Sequence, residues 1–332
     1  DRFKHINNSL GHSIGDELLQ QVSHRMVKIM DQSETIFRLG GDEFAILILN
    51  SQIYPNIETI VSRILHYISQ PYEIHHSRIY ITASVGVTVF PEDGTDALTL
   101  LRKADSAMYR AKAIGKNSYQ IFTPQMDEEA QERRLLEQDL RRALEQQQFK
   151  LYYQPIIHIH QKKVMNTEAL IRWFHPQKGL ISPDKFIPLA EEIGLIQDIG
   201  EWVLRRACLD AVAWTKHLKN SLGISVNLSS LQFKTETLAD QITEILAETG
   251  LDPKQLTLEM TESVMMDNRS ALAQLKRIRD LGIWLAVDDF GTGYSSLSYL
   301  KQFPVTSLRI DRSFITDLPT DRDDIELVDR KS

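Results

Sequence analysis

The second half of the chain repeats a strand followed by a helix, and this pattern constrains the fold more than any other feature. Strand-sized apolar runs occur at about residues 150–157, 165–172, 223–228, 256–260, 283–288 and 306–311. Helical stretches separate most of these runs, and a long series of this kind predicts a TIM-type α/β barrel whose strands end at one face. Such a barrel needs eight strands, so we expect this one to be incomplete at its C-terminus, with the last two strands missing.

The first half of the chain has a different pattern. Helical periodicity occurs at residues 9–30, 56–69 and 97–114. Two apolar runs flank residues 40–43 (Gly-Gly-Asp-Glu), and because glycine reaches positive φ at little cost, this arrangement predicts a β-hairpin. A second hairpin is predicted, with residues 79–90 as its long strand. The mixture predicts an α+β domain that ends near Phe122.

A polar segment separates the two patterns. It has no glycine or proline after Pro124, and it carries the i,i+4 pairs Glu129–Arg133 and Glu137–Arg141. These features predict a stiff helix that joins two domains. We therefore expect a first domain, a linker helix and a second domain at residues 1–123, 124–148 and 149–332.

Composition narrows the classes of partner. The formal net charge is −7, whereas proteins that bind nucleic-acid polymers generally present a basic surface. We therefore expect no nucleic-acid polymer as a partner, although a nucleotide needs only local cations or a metal. No apolar run approaches the roughly 20 residues of a membrane span. We expect no membrane contact within this chain, while an anchor in a longer parent protein is left open.

Acidic or amide residues lie near the carboxyl ends of successive predicted strands: Glu168, Asn227, Glu259, Asp288 and Asp289. Each one alone is more simply explained as a solvated loop residue. Together, at the mouth of a barrel, the carboxylates would repel one another unless cations lay among them. The pattern therefore predicts bound divalent metal, with two ions clamping a phosphodiester as one arrangement.

Two adjacent carboxylates, Asp42 and Glu43, occupy the predicted turn of the first domain. They could hold Mg²⁺, and the preceding glycine amides leave room for a phosphate. A solvated acidic turn is the simpler explanation of these four residues alone.

Five further stretches favour the metal-binding explanation over a solvated acidic turn. They are Phe3-Lys4-His5-Ile6-Asn7, Gly11-His12-Ser13-Ile14-Gly15-Asp16, Ser84-Val85-Gly86-Val87, Lys103-Ala104-Asp105 and Ala111-Lys112-Ala113-Ile114-Gly115-Lys116-Asn117. With residues 40–43 they resemble the diguanylate cyclase (GGDEF) family over nearly the whole first domain. The resemblance implies that two GTP molecules, one in each subunit of a homodimer, are joined with loss of pyrophosphate.

The same resemblance implies roles for individual residues. Asp42 and Glu43 would bind Mg²⁺ or Mn²⁺, and Glu43 would help to activate the 3′-hydroxyl. The nucleotide would be bound by Lys4, Asn7, Asp16, Gly40, Gly41, Lys112 and Lys116. The family's metal-binding aspartate two residues before Asp1 falls outside the sequence, so we expect the first strand to be missing. The family's inhibitory Arg-x-x-Asp is replaced at residues 31–34 by Asp-Gln-Ser-Glu, so we expect no inhibitory site of that kind.

The second domain contains several more motifs: Tyr153-Gln154-Pro155, Glu168-Ala169-Leu170-Ile171-Arg172-Trp173, Ser225-Val226-Asn227-Leu228-Ser229, Leu258-Glu259-Met260-Thr261-Glu262 and Asp288-Asp289-Phe290-Gly291-Thr292-Gly293-Tyr294. They resemble the EAL family of cyclic di-GMP phosphodiesterases over about residues 140–320. The resemblance implies hydrolysis of cyclic di-GMP to the linear dinucleotide pGpG by an Mg²⁺- or Mn²⁺-dependent mechanism.

In the EAL resemblance, one metal would be held by Glu168, Asn227, Glu259 and Asp288. Asp288 and Asp289 would share a second metal. Gln154 and Arg172 would bind the ligand, and Glu262 would stabilise the loop after Asp289. The residues with implied catalytic roles are Glu168, Asp288, Asp289 and Arg309, in addition to Glu43 of the first domain.

Arg309 departs from the EAL pattern, which usually has lysine at this position. Arginine keeps the charge but differs in bulk and in the geometry of its donors. The substitution makes hydrolysis the less certain activity and favours an alternative, a catalytically weak receptor for cyclic di-GMP or GTP that relays to a partner. A GGDEF domain that binds GTP as a regulator of the EAL domain is also left open, as is which direction of turnover dominates.

The resemblance therefore predicts a tandem GGDEF–EAL protein that is truncated at both ends, so that this chain by itself is inactive. Its nucleotides, GTP and cyclic di-GMP, imply a cytoplasmic location. Attachment of the parent protein to the inner face of the cell membrane is left open.

Overall fold

The computed structural model describes residues 1, 3–30, 34–49, 57–75, 77–217, 222–262, 264, 269–290 and 303–310. The chain divides into two compact units, Asp1–Arg134 and Leu135–Ser332. Within the described residues, no helix has both the length and the apolar character that crossing a lipid bilayer requires.

Unit 1 alternates helices with short strands: α1 (Phe3–Leu10), α2 (His12–Ile29), β1 (Glu34–Gly40), β2 (Glu43–Ile48), α3 (Ile57–Ser69), β3 (Tyr72–Ile74), β4 (Ser77–Ile79), β5 (Val85–Val87), α4 (Ala97–Ile114) and β6 (Tyr119–Ile121). Its main core lies between α2 and α3, whose apolar residues at helical spacing are buried against one another. Leu18 of α2 and Ile64 of α3 are representative. The predicted combination of helices and strands is therefore present.

The first hairpin forms where the sequence predicts it. β1 and β2 pair antiparallel, with Gly40 opposite Glu43 at the tip. Gly41 has a φ of 50°, in the left-handed region that glycine enters at little cost.

The predicted long strand at residues 79–90 is wrong. β4 ends at Ile79 in a short hairpin with β3, and the next strand, β5, contains only three residues and pairs parallel with β6. Between these strands, the Thr82 carbonyl accepts a hydrogen bond from the Asp1 backbone nitrogen, and the hydroxyls of Thr82 and Ser84 donate to the Asp1 carboxylate. The polar groups of this segment are thus partly satisfied by Asp1 instead of by a continuous ladder.

β5 lies unusually close to α4. A Cβ added at Gly86 would lie 1.9 Å from the Ala104 carbonyl oxygen and 2.5 Å from the Met108 nitrogen. Both atoms belong to the helix backbone, so the approach requires a residue without a side chain at this position.

The helix α5 (Pro124–Ala143) follows unit 1's last strand, and the division between the two units falls within it. It ends before the predicted boundary at residue 148. The residues after Ala143 form a turn in which Gln147 has a φ of 53°. The early residues of α5 belong to unit 1, where Asp127 accepts hydrogen bonds from Arg102 and Ser106 of α4.

Unit 2 is an α/β structure with β7 (Phe149–His158), β8 (Lys163–His175), β9 (Gly179–Ile181), α6 (Pro183–Glu192), α7 (Ile196–Thr215), β10 (Gly223–Asn227), α8 (Leu238–Thr249), β11 (Leu256–Thr261), α9 (Arg269–Asp280), β12 (Trp284–Phe290) and β13 (Ser307–Ile310). The described sheet has the strand order β13-β12-β11-β10-β8-β7, and β9 pairs with β8. Helices α6 to α8 bury apolar residues in its core. Cys208 of α7 is a buried free thiol that packs as a small core residue.

The strands of unit 2 are not all parallel. β8, β10, β11, β12 and β13 form a parallel series, but β7 pairs antiparallel with β8. Only residues 159–162 connect these two strands, and a parallel crossover needs about a dozen residues or more. The expectation that all strands run in parallel is therefore corrected at the first pair.

The sheet of unit 2 is strongly curved. β13 and β8 are four steps apart in the strand order, which would be roughly 19 Å in a flat sheet with strands about 4.8 Å apart. Arg309 Nη1 on β13 nevertheless lies 2.8 Å from Glu168 Oε2 on β8. The curvature therefore brings side chains from non-adjacent strands together on the inner face.

Candidate functional site

Three carboxylates converge on the inner face of unit 2. Glu168 lies on β8, Glu259 on β11 and Asp288 on β12. One oxygen from each residue lies within 4.8 Å of the others. Asn227 ends β10 opposite Glu259 in the ladder, and its amide nitrogen donates to Glu168 Oε1 at 2.8 Å. Parallel strands thus build a compact acidic cluster from distant parts of the sequence, and Glu168 contributes to it from the middle of β8 and not from its carboxyl end.

Glu259 is the most enclosed member of this cluster. Its side chain is 0% exposed. Burial raises its pKa to about 7, and the negative charges of Glu168 and Asp288 act in the same direction. Hydrogen bonding from Ser225 and the charge of Arg309 offset part of this increase. The buried carboxylate is therefore easily protonated when no metal neutralises the cluster.

Arg309 contributes the positive charge of the cluster. Its Nη1 donates to Glu168 Oε2 at 2.8 Å and also contacts Glu259 Oε2. Its Nη2 contacts Glu259 Oε1, and it lies 3.4 Å from Ser225 Oγ. One guanidinium thus bridges two carboxylates that come from different strands.

The donor set fits a hard divalent cation. Carboxylate and amide oxygens are the ligands that Mg²⁺ and Mn²⁺ prefer. Glu259 Oε1 is buried and has no aligned hydrogen-bond donor, so its lone pairs are suited to a cation. The residues that could hold such an ion are Glu168, Asn227, Glu259 and Asp288.

The neighbouring predicted residues are arranged less tightly. Asp289 does not belong to the group of three carboxylates found among the described residues; it is exposed and has a φ of 52°. Gln154 of β7 is exposed and lies opposite Glu168 in the antiparallel ladder. Glu262 is buried, but the loop that it is predicted to stabilise, residues 291–302, lies outside the described residues.

Arg172 lies on the same side of β8 as Glu168, because four residues separate them and side chains alternate along a strand. Its Nη1 donates to the carbonyl of Ile171 at 2.8 Å, and its guanidinium lies 5.8 Å from the ring centroid of Tyr152. Its planar guanidinium is suited to donate two parallel hydrogen bonds to phosphate oxygens.

The acidic turn of unit 1 is solvent-exposed. Gly40, Gly41, Asp42 and Glu43 are all exposed at the hairpin tip, and Arg38 Nη2 donates to the Gly41 carbonyl at 2.9 Å. This hydrogen bond holds the turn while leaving both carboxylates accessible.

Charged residues from separate motifs lie around Asp1. Asp42 of the acidic turn, Lys112 in the last turn of α4 and Lys116 just after that helix are all close enough to Asp1 to act on it electrostatically. The side chain of Lys4, which the sequence placed with them, lies outside the described residues.

Asp1 is a residue of this region that the sequence reasoning missed. Its carboxylate accepts hydrogen bonds from the hydroxyls of Thr82 and Ser84 and from the Asn117 amide nitrogen. The available signal was its position two residues before Phe3 of the matched motif, with Ser84 and Asn117 themselves in matched motifs.

Asn7 and Asp16 lie at the packing of α1 on α2. A Cβ at Gly15 would lie 1.8 Å from Asn7 Oδ1, which is buried without a hydrogen-bond partner. Asp16, the next residue, is exposed. Gly15 therefore makes the space that the Asn7 carboxamide occupies beside Asp16.

Comparison with known families supports the two groups of residues described above, the acidic turn region of unit 1 and the acidic cluster of unit 2. The model of the EAL domain matches residues 137–330, which is more than half of the chain, and the model of the diguanylate cyclase, GGDEF domain matches residues 1–118. The chain belongs to the GGDEF–EAL family. Unit 1 contains the GGDEF match, and the EAL match begins in α5 and extends through unit 2.

Two curated relatives cover nearly all of this GGDEF–EAL chain. The bifunctional diguanylate cyclase/cyclic di-GMP phosphodiesterase MucR of Pseudomonas aeruginosa is 43% identical over 99% of the chain and 48% of that protein. The cyclic di-GMP phosphodiesterase NbdA of the same organism is 39% identical over 98% of the chain and 42% of that protein. The chain spans somewhat less than half the length of these relatives.

Solved EAL structures share the fold. The PaMucR phosphodiesterase in complex with c-di-GMP has a TM-score of 0.57 and 45% identity, and the match covers 59% of this chain and 80% of that one. The Xanthomonas citri FimX EAL domain in complex with c-diGMP has a TM-score of 0.55 and 26% identity, covering 61% and 79% of the two chains. The identification as a GGDEF–EAL tandem predicted from the motifs is confirmed.

Proposed function

We propose that the EAL domain hydrolyses cyclic di-GMP to linear pGpG. The observation that carries this proposal is the convergence of Glu168, Glu259 and Asp288 within 4.8 Å on the inner face of the curved sheet. The names of MucR and NbdA, which include cyclic di-GMP phosphodiesterase activity, support it. We propose further that the curved sheet is the described part of a TIM-type barrel.

In this mechanism, Glu168, Asn227, Glu259 and Asp288 would hold one Mg²⁺ or Mn²⁺, and Asp288 and Asp289 would hold a second. A bound divalent ion would supply Lewis-acid polarisation of a phosphoryl oxygen and activation of water. The protein's own residues bind and orient the dinucleotide.

The planar fork of Arg172 is suited to grip a phosphate, and Gln154 contacts the ligand from the adjacent strand. Glu262 positions the loop after Asp289. The geometry of Arg172 and Glu168 on the same side of β8 supports a phosphate bound beside the acidic cluster.

For the GGDEF domain, synthesis of cyclic di-GMP from two GTP molecules is the proposed activity, and regulatory GTP binding is its alternative. Asp42 and Glu43 bind the metal, and Glu43 helps to activate the 3′-hydroxyl. The residues that contact the nucleotide are Lys4, Asn7, Asp16, Gly40, Gly41, Lys112 and Lys116. The shared electrostatic environment of Asp42, Lys112 and Lys116 around Asp1 supports this assignment. Synthesis requires a homodimer, because each subunit supplies one GTP.

A second candidate function is a weakly catalytic receptor for cyclic di-GMP or GTP. Arg309 is the specific observation that favours it, because its contacts with Glu168 and Glu259 occupy two of the proposed metal ligands.

Incubation of the longest available form of the protein with cyclic di-GMP and Mg²⁺, followed by chromatography for pGpG, tests the hydrolase. We expect product that disappears in Glu168→Ala and persists in Glu244→Ala, a change at an exposed glutamate on α8. Retained cyclic di-GMP binding without product would replace the hydrolase with the receptor.

A second assay separates the two roles of the GGDEF domain. GTP alone should yield cyclic di-GMP if the domain is a cyclase, and Glu43→Ala should abolish it. If GTP yields no product but changes the rate of hydrolysis, the domain is a regulator. If GTP binds to neither the wild type nor Glu43→Ala, both proposals for this domain fail.

A further inference from the structure

Arg309 contacts the carboxylate oxygens that a metal would need. It contacts Glu168 Oε2 and both carboxylate oxygens of Glu259, while Asn227 donates to Glu168 Oε1. Three of these four oxygens accept a hydrogen bond, and Glu259 Oε1 is in ion-pair contact with the guanidinium without an aligned hydrogen bond. A divalent ion that binds between these residues must take the place of at least some of these donors.

The guanidinium is a permanent cation. Arginine does not lose its proton at any pH at which proteins are folded, whereas a lysine at the same position could do so when desolvated. Its five donors form a rigid fork that matches carboxylates in a way that the compact ammonium of lysine cannot. Arginine therefore binds these two glutamates more persistently than lysine would.

The side chain nevertheless has room to leave. The side chain of Arg309 is 26% exposed, whereas that of Glu259 is fully buried. A long, flexible side chain that reaches solvent at one edge can move without disrupting β13. The buried carboxylate cannot follow it, so Glu259 would remain to bind an incoming ion.

We propose that Arg309 is a built-in counter-cation that competes with the divalent metal for Glu168 and Glu259. It stabilises the metal-free EAL domain and weakens metal binding. This inference rests on the proposed metal site of the EAL domain. It predicts opposite effects of one substitution on two quantities, stability without metal and affinity for metal, whereas a purely structural arginine would lower both.

The test uses Mn²⁺ as the probe and the full chain in an Asp42→Ala, Glu43→Ala background, so that ions at the GGDEF turn are not counted. Isothermal titration measures the Mn²⁺ affinity of Arg309, Arg309→Met and Arg309→Lys. We expect Arg309→Met to bind Mn²⁺ about tenfold more tightly, because a unit positive charge has been removed from the site. Arg309→Lys should lie between the two.

Thermal unfolding in a chelator supplies the second readout. Arg309→Met should lower the melting temperature, since it leaves buried carboxylates uncompensated, and saturating Mn²⁺ should restore it. Arg277→Met is the matched control, because Arg277 pairs with Asp240 outside the cluster. It should leave the Mn²⁺ affinity unchanged. If Arg309→Met does not fold, Arg309→Lys carries the test.

Unchanged or weaker Mn²⁺ binding by both Arg309 variants would overturn this inference, even if the wild type binds Mn²⁺ and hydrolyses cyclic di-GMP. Absence of Mn²⁺ binding in the wild type and in both variants would overturn the metal site itself, and with it the proposed hydrolase. The two failures are therefore distinguishable.

Discussion

At the scale of single residues, the inner face of the EAL domain concentrates opposing electrostatic effects on Glu259. Burial and neighbouring carboxylates favour its protonated form, whereas Arg309 and Ser225 favour the ionised form. Burial is the largest of these effects. A group so placed links the pH of the solution to the stability of the fold.

We predict that Glu259 makes the metal-free protein less stable as the pH rises. The folded-state pKa of about 7 lies above the ordinary value of 4.5, so the folded protein retains a proton that the unfolded chain releases. The stabilisation is complete below the unfolded pKa and is lost as the pH rises through about 7. The slope cannot exceed about 1.4 kcal/mol per pH unit for one proton.

Melting temperatures of the wild type and of Glu259→Gln, measured with a chelator from about pH 5 to pH 8, isolate this contribution. The difference between the two proteins should vary with pH across the interval. Parallel curves would show that Glu259 ionises normally. With saturating Mg²⁺ the trend should reverse, since the metal binds the deprotonated carboxylate.

Part of this site follows from the sequence. Glu168, Glu259 and Asp288 were predicted to converge because each was placed near the carboxyl end of a strand, and parallel strands end at one edge. The structure corrects this for Glu168, which lies in the middle of β8, opposite Ser225 of β10. The prediction could not separate Asp288 from Asp289. Successive residues of a strand point to opposite sides, and the positive φ of Asp289 changes its direction further. The contacts of Arg309 with Glu168 depend on sheet curvature, which no local pattern encodes.

At the scale of elements, close packing of β5 on α4 depends on one glycine. We predict that Gly86→Ala destabilises the GGDEF domain by about 3 kcal/mol, because the added methyl meets the α4 backbone, which cannot move alone. Hydrogen exchange of α4 peptides during urea unfolding measures the change. Gly94→Ala is the control, since its methyl meets only side-chain atoms of Thr99 and Leu100. Equal losses from both changes would contradict the packing argument.

The start of α5 is attached to α4 through Asp127. Burial alone would raise the pKa of Asp127, but hydrogen bonds from Arg102 and Ser106 outweigh it, and the pKa is lowered. The stabilisation is therefore present above the ordinary pKa of 3.8 and is lost as the pH falls through the lower folded-state value.

We predict that Asp127→Asn costs about 1 kcal/mol at neutral pH, because it removes a charged acceptor of two hydrogen bonds. Hydrogen exchange of the α4 and α5 peptides measures this. Glu129→Gln serves as the comparison, because the Glu129–Arg110 pair is about half exposed on both sides. Exposed pairs contribute between nothing measurable and about 1 kcal/mol, so we expect a smaller loss than at Asp127. A larger effect at Glu129 than at Asp127 would refute the proposed attachment.

The sequence located most elements but not how they pair. The four-residue link at residues 159–162 was enough to indicate an antiparallel β7–β8 pair, although the repeated strand–helix pattern suggested a parallel one. No short-range feature of the sequence indicated that the strand predicted at residues 79–90 would be interrupted. It involves contacts with Asp1, which is more than 80 residues away in sequence.

At the scale of the whole molecule, the aromatic residues are distributed unequally. All four tryptophans, at positions 173, 202, 214 and 284, lie in unit 2. Tryptophan fluorescence therefore reports the EAL domain alone, whereas far-UV circular dichroism reports both domains.

We predict that Gly86→Ala moves the unfolding transition seen by circular dichroism and leaves the fluorescence midpoint unchanged. The reason is that each unit has its own hydrophobic core. Equal shifts of both signals would instead show that the two units unfold as one cooperative structure.

The reach of Arg309 to Glu168 spans 141 residues of sequence, and this has a consequence for biosynthesis. A ribosome translates the glutamates before the arginine, so the emerging domain holds its acidic cluster for some seconds without an internal cation. Translation of β13 supplies the positive charge of the Arg309 guanidinium. The last described strand therefore contributes the cation that neutralises the acidic cluster.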